Sequence, residues 1–210
     1  MVTSQSTHTF ADLFGLPDDS PLYDILAGEF VVRNIPDVNH GLARMELGDF
    51  LFDAQLAGYG YAFSDTTAIA LDYPVRGEAA EYVSHPDLFF VRQEREAIIG
   101  DRVVEGPPDI IVEILSPSTR DEHARGGKLW RAYALHGVSH YWIVDNVARI
   151  ITQYALVGAP YQPGQFDAGR ALRPGDTLTS PVFPTLSLSV ANLFRNVRQR
   201  RFGRGAPKER

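Results

Sequence analysis

Cysteine is absent from the 210 residues. That excludes disulfides, thiolate metal sites and a cysteine nucleophile, and it is in keeping with a reducing cytosol. No apolar run approaches the roughly 20 residues that a membrane-spanning helix needs. Residues 1–9 lack the basic and apolar parts of a signal peptide, so a cytoplasmic location is expected. There is no internal repeat and no long low-complexity stretch. A chain of this length fits one domain and can bury a core without staples.

Charge is present but unevenly spread. The net charge is -6, yet residues 195–210 carry seven cations against Glu209 alone, which makes that tail +6 and leaves -12 for residues 1–194. We therefore expect a single domain over 1–194 and a basic, flexible tail over 195–210. An acidic body is a poor general match for a polyanion, whereas the tail can bind nucleic acid through counterion release or simply be solvated.

Helical and strand patterns are mixed along the chain. Thr9–Leu16 reads as a short helix. Leu22–Arg33, with Gly28 and Glu29 between apolar segments, reads as a helical turn running into a strand. Asn39–Ala57 reads as an amphipathic helix with Leu42, Met45, Phe50 and Ala54 near helical spacing. Tyr61–Ser64, Ala68–Leu71, Tyr82–Arg92, Asp109–Leu115, Ser139–Asp145 and Arg149–Val157 read as strands, the last two as a hairpin. A helix is expected from Arg120 to His136, ended by Gly137. Residues 160–174 read as a loop and Leu186–Phe194 as a short helix. This order predicts an α/β domain, a mixed central sheet flanked by helices.

One residue breaks the pattern most informatively. Glu113 interrupts Ile110-Ile111-Val112-Glu113-Ile114-Leu115, otherwise a strand buried on both faces. An isolated buried carboxylate costs several kcal/mol, so it persists mainly when paired, protonated or bound to a metal. Asp87 opens a second apolar strand after Pro86. Two acids on adjacent strands make a hard-oxygen pair suited to Mg²⁺ or Mn²⁺. Strand alternation puts Asp109, Ile111, Glu113 and Leu115 on one face. Lys128, in the helix that follows, can return over the sheet towards the acids. Carboxylates that hold a metal, water activated by it and a lysine that offsets phosphate charge are the parts of a phosphodiesterase site.

These stretches resemble the Uma2-like (DUF820) restriction-endonuclease family of the PD-(D/E)xK nuclease superfamily. The resemblance runs from about Leu22 to Phe194. It is strongest over Pro108–Ser118 and continues through Lys128, Tyr133-Ala134, Gly137-Val138 and Tyr141–Asp145. Gly28-Glu29, Pro86-Asp87 and Ser180–Leu188 also fit. It implies a restriction-endonuclease-like core in which Asp87 and Glu113 are the two acids. Because Leu115 stands two residues after Glu113, it points to Lys128 as the catalytic lysine, with Glu29 completing the metal shell. The implied activity is Mg²⁺- or Mn²⁺-dependent cleavage of nucleic acid, DNA foremost, with a homodimer as the commonest symmetric assembly.

Two other readings stay open on the residues alone. One is a nuclease-fold protein that binds nucleic acid without turnover, and the other is an interaction protein whose acids pair with arginines. Asp109 reads as a strand-entry acid and His40 as a structural residue. His85, His123, His136 and His140 show no zinc-like grouping. Trp130, Tyr133, Tyr141 and Trp142 read as core, and Ser116-Pro117-Ser118 as a strand stop and helix cap.

Overall fold

A computed structural model describes residues 7–17, 19–33, 36–116, 120–123 and 125–198. After a 3-10 helix over Phe10–Gly15, a β-hairpin forms from β1 (Tyr23–Leu26) and β2 (Glu29–Val32). Leu26 pairs with Glu29 across Ala27 and Gly28, whose φ values of 51° and 76° are those of a tight two-residue hairpin turn. The helical turn expected here is thus a hairpin: Gly28 supplies the left-handed turn rather than a helix end.

Helix α1 (Val38–Leu56) is capped by Asp37, whose side chain accepts the His40 N–H at 2.9 Å. Its buried face is His40, Ala43, Leu47, Phe50, Leu51 and Ala54, while Met45 is exposed and Leu42 half-buried. The expected apolar stripe is therefore rotated, because α1 is apolar on both sides: Val38, Phe52 and Leu56 are exposed too. β3 (Gly60–Ser64), β4 (Ile69–Ala70), α2 (Tyr73–Arg76), β5 (Tyr82–Ser84) and β6 (Leu88–Arg92) follow. The single strand expected over Tyr82–Arg92 is divided at His85-Pro86-Asp87. β5 pairs with β1 and β4 in one sheet, and β6 pairs with β3 in the other.

β7 (Ile110–Ile114) is buried throughout. The helix expected over Arg120–His136 is broken into α3 (Arg120–His123) and α4 (Lys128–Leu135). Gly126 lies between them at φ 81° and Gly127 is the N-cap of α4; each glycine costs a helix interior about 1 kcal/mol. β8 (His140–Asp145) and β9 (Ile150–Val157) form the expected antiparallel pair. The 160–174 loop holds β10 (Gln165–Phe166) and β11 (Arg170–Leu172), both paired to β9. Finally, β12 (Thr177–Thr179) pairs with β13 (Ser187–Ser189), and α5 (Val190–Leu193) follows. The last helix is shorter than expected because Ser187–Ser189 is used as a strand.

The larger sheet has the order β10-β9-β8-β7-β6-β3, parallel only between β7 and β8. Its mixed character is the one the sequence predicts. Alternation sends Ile110, Val112 and Ile114 into a core shared with α1 and α5. Ile111 goes the other way, into a core shared with Leu129, Tyr133 and Ala134 of α4. The smaller sheet, β2-β1-β5-β4, contributes Leu26 and Ile69 to that second core. Residues 195–198 extend the domain past Phe194. Val197 is buried, Arg195 pairs with Glu46, and Asn39 and Arg198 exchange hydrogen bonds of 2.9 Å. The remainder of the basic tail lies outside the described residues.

Candidate active site

The division of the Tyr82–Arg92 segment is what creates the site. Pro86 carries no N–H, so the chain can leave one sheet and enter the other there without an orphaned donor. Asp87 is held at this junction, at the edge of β7. The Ile114 N–H donates to Asp87 Oδ2 at 2.7 Å, and His40 Nε2 lies 3.0 Å from the same oxygen. Among the described residues, Oδ1 of Asp87 takes no hydrogen bond.

Glu113 points to the α4 side of β7 and is 6 % exposed. The Tyr133 hydroxyl donates to Oε1 at 2.8 Å, and the Asp87 N–H approaches Oε2 at 3.5 Å. Burial, and then the charge of Asp87, push the Glu113 carboxyl well above the ordinary range, although the Tyr133 hydrogen bond opposes them. Burial, followed by the Glu113 charge, also raises the Tyr133 and Tyr141 hydroxyls, so both stay protonated donors. Asp87, at the junction before β6, and Glu113, on β7, thus share one charge-stressed position.

Both acids line a cavity of about 120 Å³ that also reaches Asp24, Arg33, His40, Asp65, His85, Ser116 and His123. Asp24 Oδ1 accepts from the His85 backbone N–H at 3.0 Å and lies 2.8 Å from His85 Nδ1, which directs the other ring nitrogen away from the carboxylate. Arg33 is 3.6 Å from Asp65. His123 Nδ1 is 3.0 Å from the Tyr141 hydroxyl, and burial lowers its pKa to about 4, so it is neutral at pH 7.

The sequence alone does not assign Asp24, Arg33, His85 or His123 to the site, and in it His40 reads as structural. Asp24 carries the same signal as Glu113, an acid in the apolar strand Tyr23-Asp24-Ile25-Leu26. The histidines reach the cavity from α1, the sheet junction and α3, and no spacing in the chain announces that.

Glu29 and Lys128 are not brought to the acids. Glu29 is exposed beside the hairpin turn and Lys128 is the first residue of α4; both line a separate, larger cleft. The break at Gly126-Gly127 sets this rotation: α4 turns Leu129 towards the acid cavity and Lys128 away from it. The sequence holds two lysines, and Lys208 lies outside the described residues. Asp109 is also apart, at the opposite end of β7, in a buried arginine cluster.

No three His, Asp or Glu side chains among the described residues form a ready-made cation cage. Asp87 and Glu113 nevertheless suit a hard divalent ion. They offer two carboxylates, one with an oxygen clear of hydrogen bonds, and the stress that raises Glu113 is what a cation relieves. The other coordination positions would fall to water and substrate oxygens, the usual way Mg²⁺ is bound.

His123 gives a direct expectation. Its folded pKa of about 4 lies below the ordinary 6.5, so the unfolded chain takes up a proton that the folded chain refuses. Its contribution to stability is complete above pH 6.5 and falls as the pH drops towards 4. At pH 5 the loss is about 2 kcal/mol by linkage. Urea unfolding at pH 7.5 and pH 5 should show His123→Gln losing less stability over this interval than the wild type. Equal losses would refute the assignment.

No curated protein matches the chain. The crystal structure of a DUF820 nuclease from Anabaena variabilis, described as putative, has the same fold, with a TM-score of 0.66. It is 19 % identical, over 89 % of this chain and 97 % of that one. Among the described residues no helix is long and apolar enough to cross a membrane. A family model described as "Putative restriction endonuclease" matches residues 10–191, and the chain belongs to that family, Uma2.

Proposed function

We propose that this protein is a metal-dependent endonuclease that hydrolyses phosphodiester bonds of nucleic acid, DNA foremost, in the cytoplasm. One observation carries the reading. Asp87, at the junction before β6, and Glu113, on β7, meet in one cavity, and among the described residues neither is paired with an arginine. Asp109 is the acid that arginines neutralise, which argues against a purely structural role for the other two.

Asp87 and Glu113 would hold one or two Mg²⁺ or Mn²⁺ ions. Such a cation would supply the Lewis acidity that activates water and offsets charge on the scissile phosphate. The protein's own groups do the rest. His40 and the Ile114 N–H fix Asp87 Oδ2 and leave Oδ1 clear of hydrogen bonds among the described residues. Tyr133 fixes Glu113 through Oε1. Neutral His123, whose Nδ1 accepts from Tyr141, offers its other ring N–H to water and phosphate oxygens, while His85, whose Nδ1 donates to Asp24, offers its other ring nitrogen as an acceptor for water. Arg33 is the guanidinium at the cavity and takes the charge-offsetting part that the resemblance gives to Lys128.

The test is cleavage of plasmid, single-stranded DNA and RNA with Mn²⁺, with Mg²⁺ and with EDTA. Wild type should cut only with metal. Glu113→Gln and Asp87→Asn should lose at least 100-fold in rate while keeping a cooperative unfolding transition, since each removes a group that acts in the transition state. Cutting that persists in both variants, or in EDTA, would refute the reading.

A further inference from the structure

We propose that the cleft beside the acid cavity is a subsite for one nucleobase and its phosphate, so that the substrate is nucleic acid carrying an unpaired base next to the bond that is cut. This inference rests on the nuclease reading and names the substrate class that it leaves open.

The two hollows share a wall. Leu26 lines both, and α4 gives Leu129 to the acid cavity but Lys128 and Trp130 to the cleft. Their sizes differ in a way that assigns their contents. About 120 Å³ admits cations, waters and phosphate oxygens, whereas about 690 Å³ falls in the range of sites that enclose an organic ligand.

The lining of the cleft is divided chemically. Lys128 and Arg131 stand three residues apart on α4, so they are neighbours on its surface, and no side chain caps the first turn there. Together they form an anion-binding end. Tyr82 and Trp130, each partly buried against the second core, form an aromatic end. Glu29, on the hairpin opposite, supplies an acceptor for amino groups on a base edge and disfavours a second phosphate. Cation, aromatic surface and hydrogen-bonding groups in one recess are what a nucleotide monomer needs. A base stacked in a duplex cannot enter such a recess, but an unpaired or flipped one can.

Tryptophan fluorescence reads the cleft directly, because the chain has two tryptophans and Trp142 is 1 % exposed in the core. The protein is the Glu113→Gln variant in EDTA, titrated with a short single-stranded oligonucleotide and with its blunt duplex. Expected are quenching by the single strand, at least tenfold weaker binding of the duplex, and no quenching in a Trp130→Phe background. The added pair Lys128→Ala and Arg131→Ala should raise the single-strand Kd at least tenfold and flatten its dependence on salt. In the otherwise wild-type enzyme, the same pair should raise KM tenfold or more for single-stranded substrate. Equal affinity for single strand and duplex, or a Kd and KM indifferent to the pair, would overturn the subsite and leave metal-dependent cutting standing. Binding as expected without any cutting by wild type would uphold the subsite and remove the nuclease reading instead.

Discussion

Replacing Asp109 by alanine will destabilise the protein by about 3–5 kcal/mol, the usual cost of removing one partner from a buried charge cluster. Asp109 is fully buried and is the hub of that cluster. Its Oδ2 accepts from the Arg92 backbone N–H at 2.9 Å and from an Arg95 guanidinium nitrogen at 3.1 Å. Its Oδ1 accepts from the Tyr161 hydroxyl at 2.7 Å and lies 3.3 Å from Arg92 Nε. Arg95 is also stacked 3.6 Å over the Tyr161 ring. The cluster ties the start of β7 to the end of β6 and to the loop at Tyr161, and so fixes the strand that carries Glu113. Alanine would leave the Arg95 guanidinium, only 14 % exposed, without its carboxylate. Tm should fall by roughly 6–20 °C for a domain of this size. Tyr161→Phe removes one hydrogen bond and should cost about 1 kcal/mol. Burial and the Asp109 hydrogen bond raise the Tyr161 hydroxyl to about 12, so its donor role persists at any working pH. Urea denaturation of the three proteins checks the order. A loss below about 1 kcal/mol for Asp109→Ala would mean that the arginines find other partners or water.

Asp109 and Glu113 show where the sequence is legible and where it is not. Both lie on one face of a strand whose apolar run identifies it unaided, and that face is where alternation puts them. Their separate fates are not written in the strand. One meets Arg92 and Arg95, which lie some 14–17 residues earlier in the chain; the other meets Asp87 and Tyr133. β8, β9 and α1 could be read because each buries a periodic face. Three other elements could not. The hairpin at Ala27-Gly28 was masked by apolar residues that suit a helix turn as well. The strand through Asp87 was read as continuous because both of its halves are apolar, and only their pairing with different sheets shows the break at Pro86. The helix before β8 was read through Gly126-Gly127, and that break is what turns Lys128 away from the acids. Site residues follow the same rule. Glu113 and Asp87 stand out as charges in apolar strands, whereas His40, His85 and His123 reach the cavity only through tertiary packing, which a single sequence does not encode as spacing.

Glu113→Gln will make the metal-free protein more stable at neutral pH and insensitive to the metal. Burial and the neighbouring Asp87 charge raise the folded-state pKa of Glu113 above 4.5. Between that unfolded value and the folded one, the folded chain holds a proton that the unfolded chain has released. The contribution of Glu113 to stability is therefore present at low pH and lost as the pH rises, the reverse of a carboxylate in a salt bridge. At pH 8 without metal, the wild type carries the cost of burying that acid beside Asp87. Glutamine is neutral and still accepts from Tyr133, so it removes that cost. In EDTA the Tm of Glu113→Gln should exceed that of wild type at pH 8, and the gap should narrow towards pH 5. Saturating Mn²⁺ should reverse the order. Occupancy at 100 times Kd adds about 2.7 kcal/mol to a protein that binds the ion only when folded, or roughly 5–11 °C here. The variant, with one carboxylate gone, should gain less than a third of that. A structural carboxylate would behave oppositely in both arms: its amide would lower Tm in EDTA, and Mn²⁺ would leave wild type unmoved. A buried acid that destabilises the empty protein and stabilises the loaded one is kept for the ion, and this pair of melting curves measures that trade without needing a substrate.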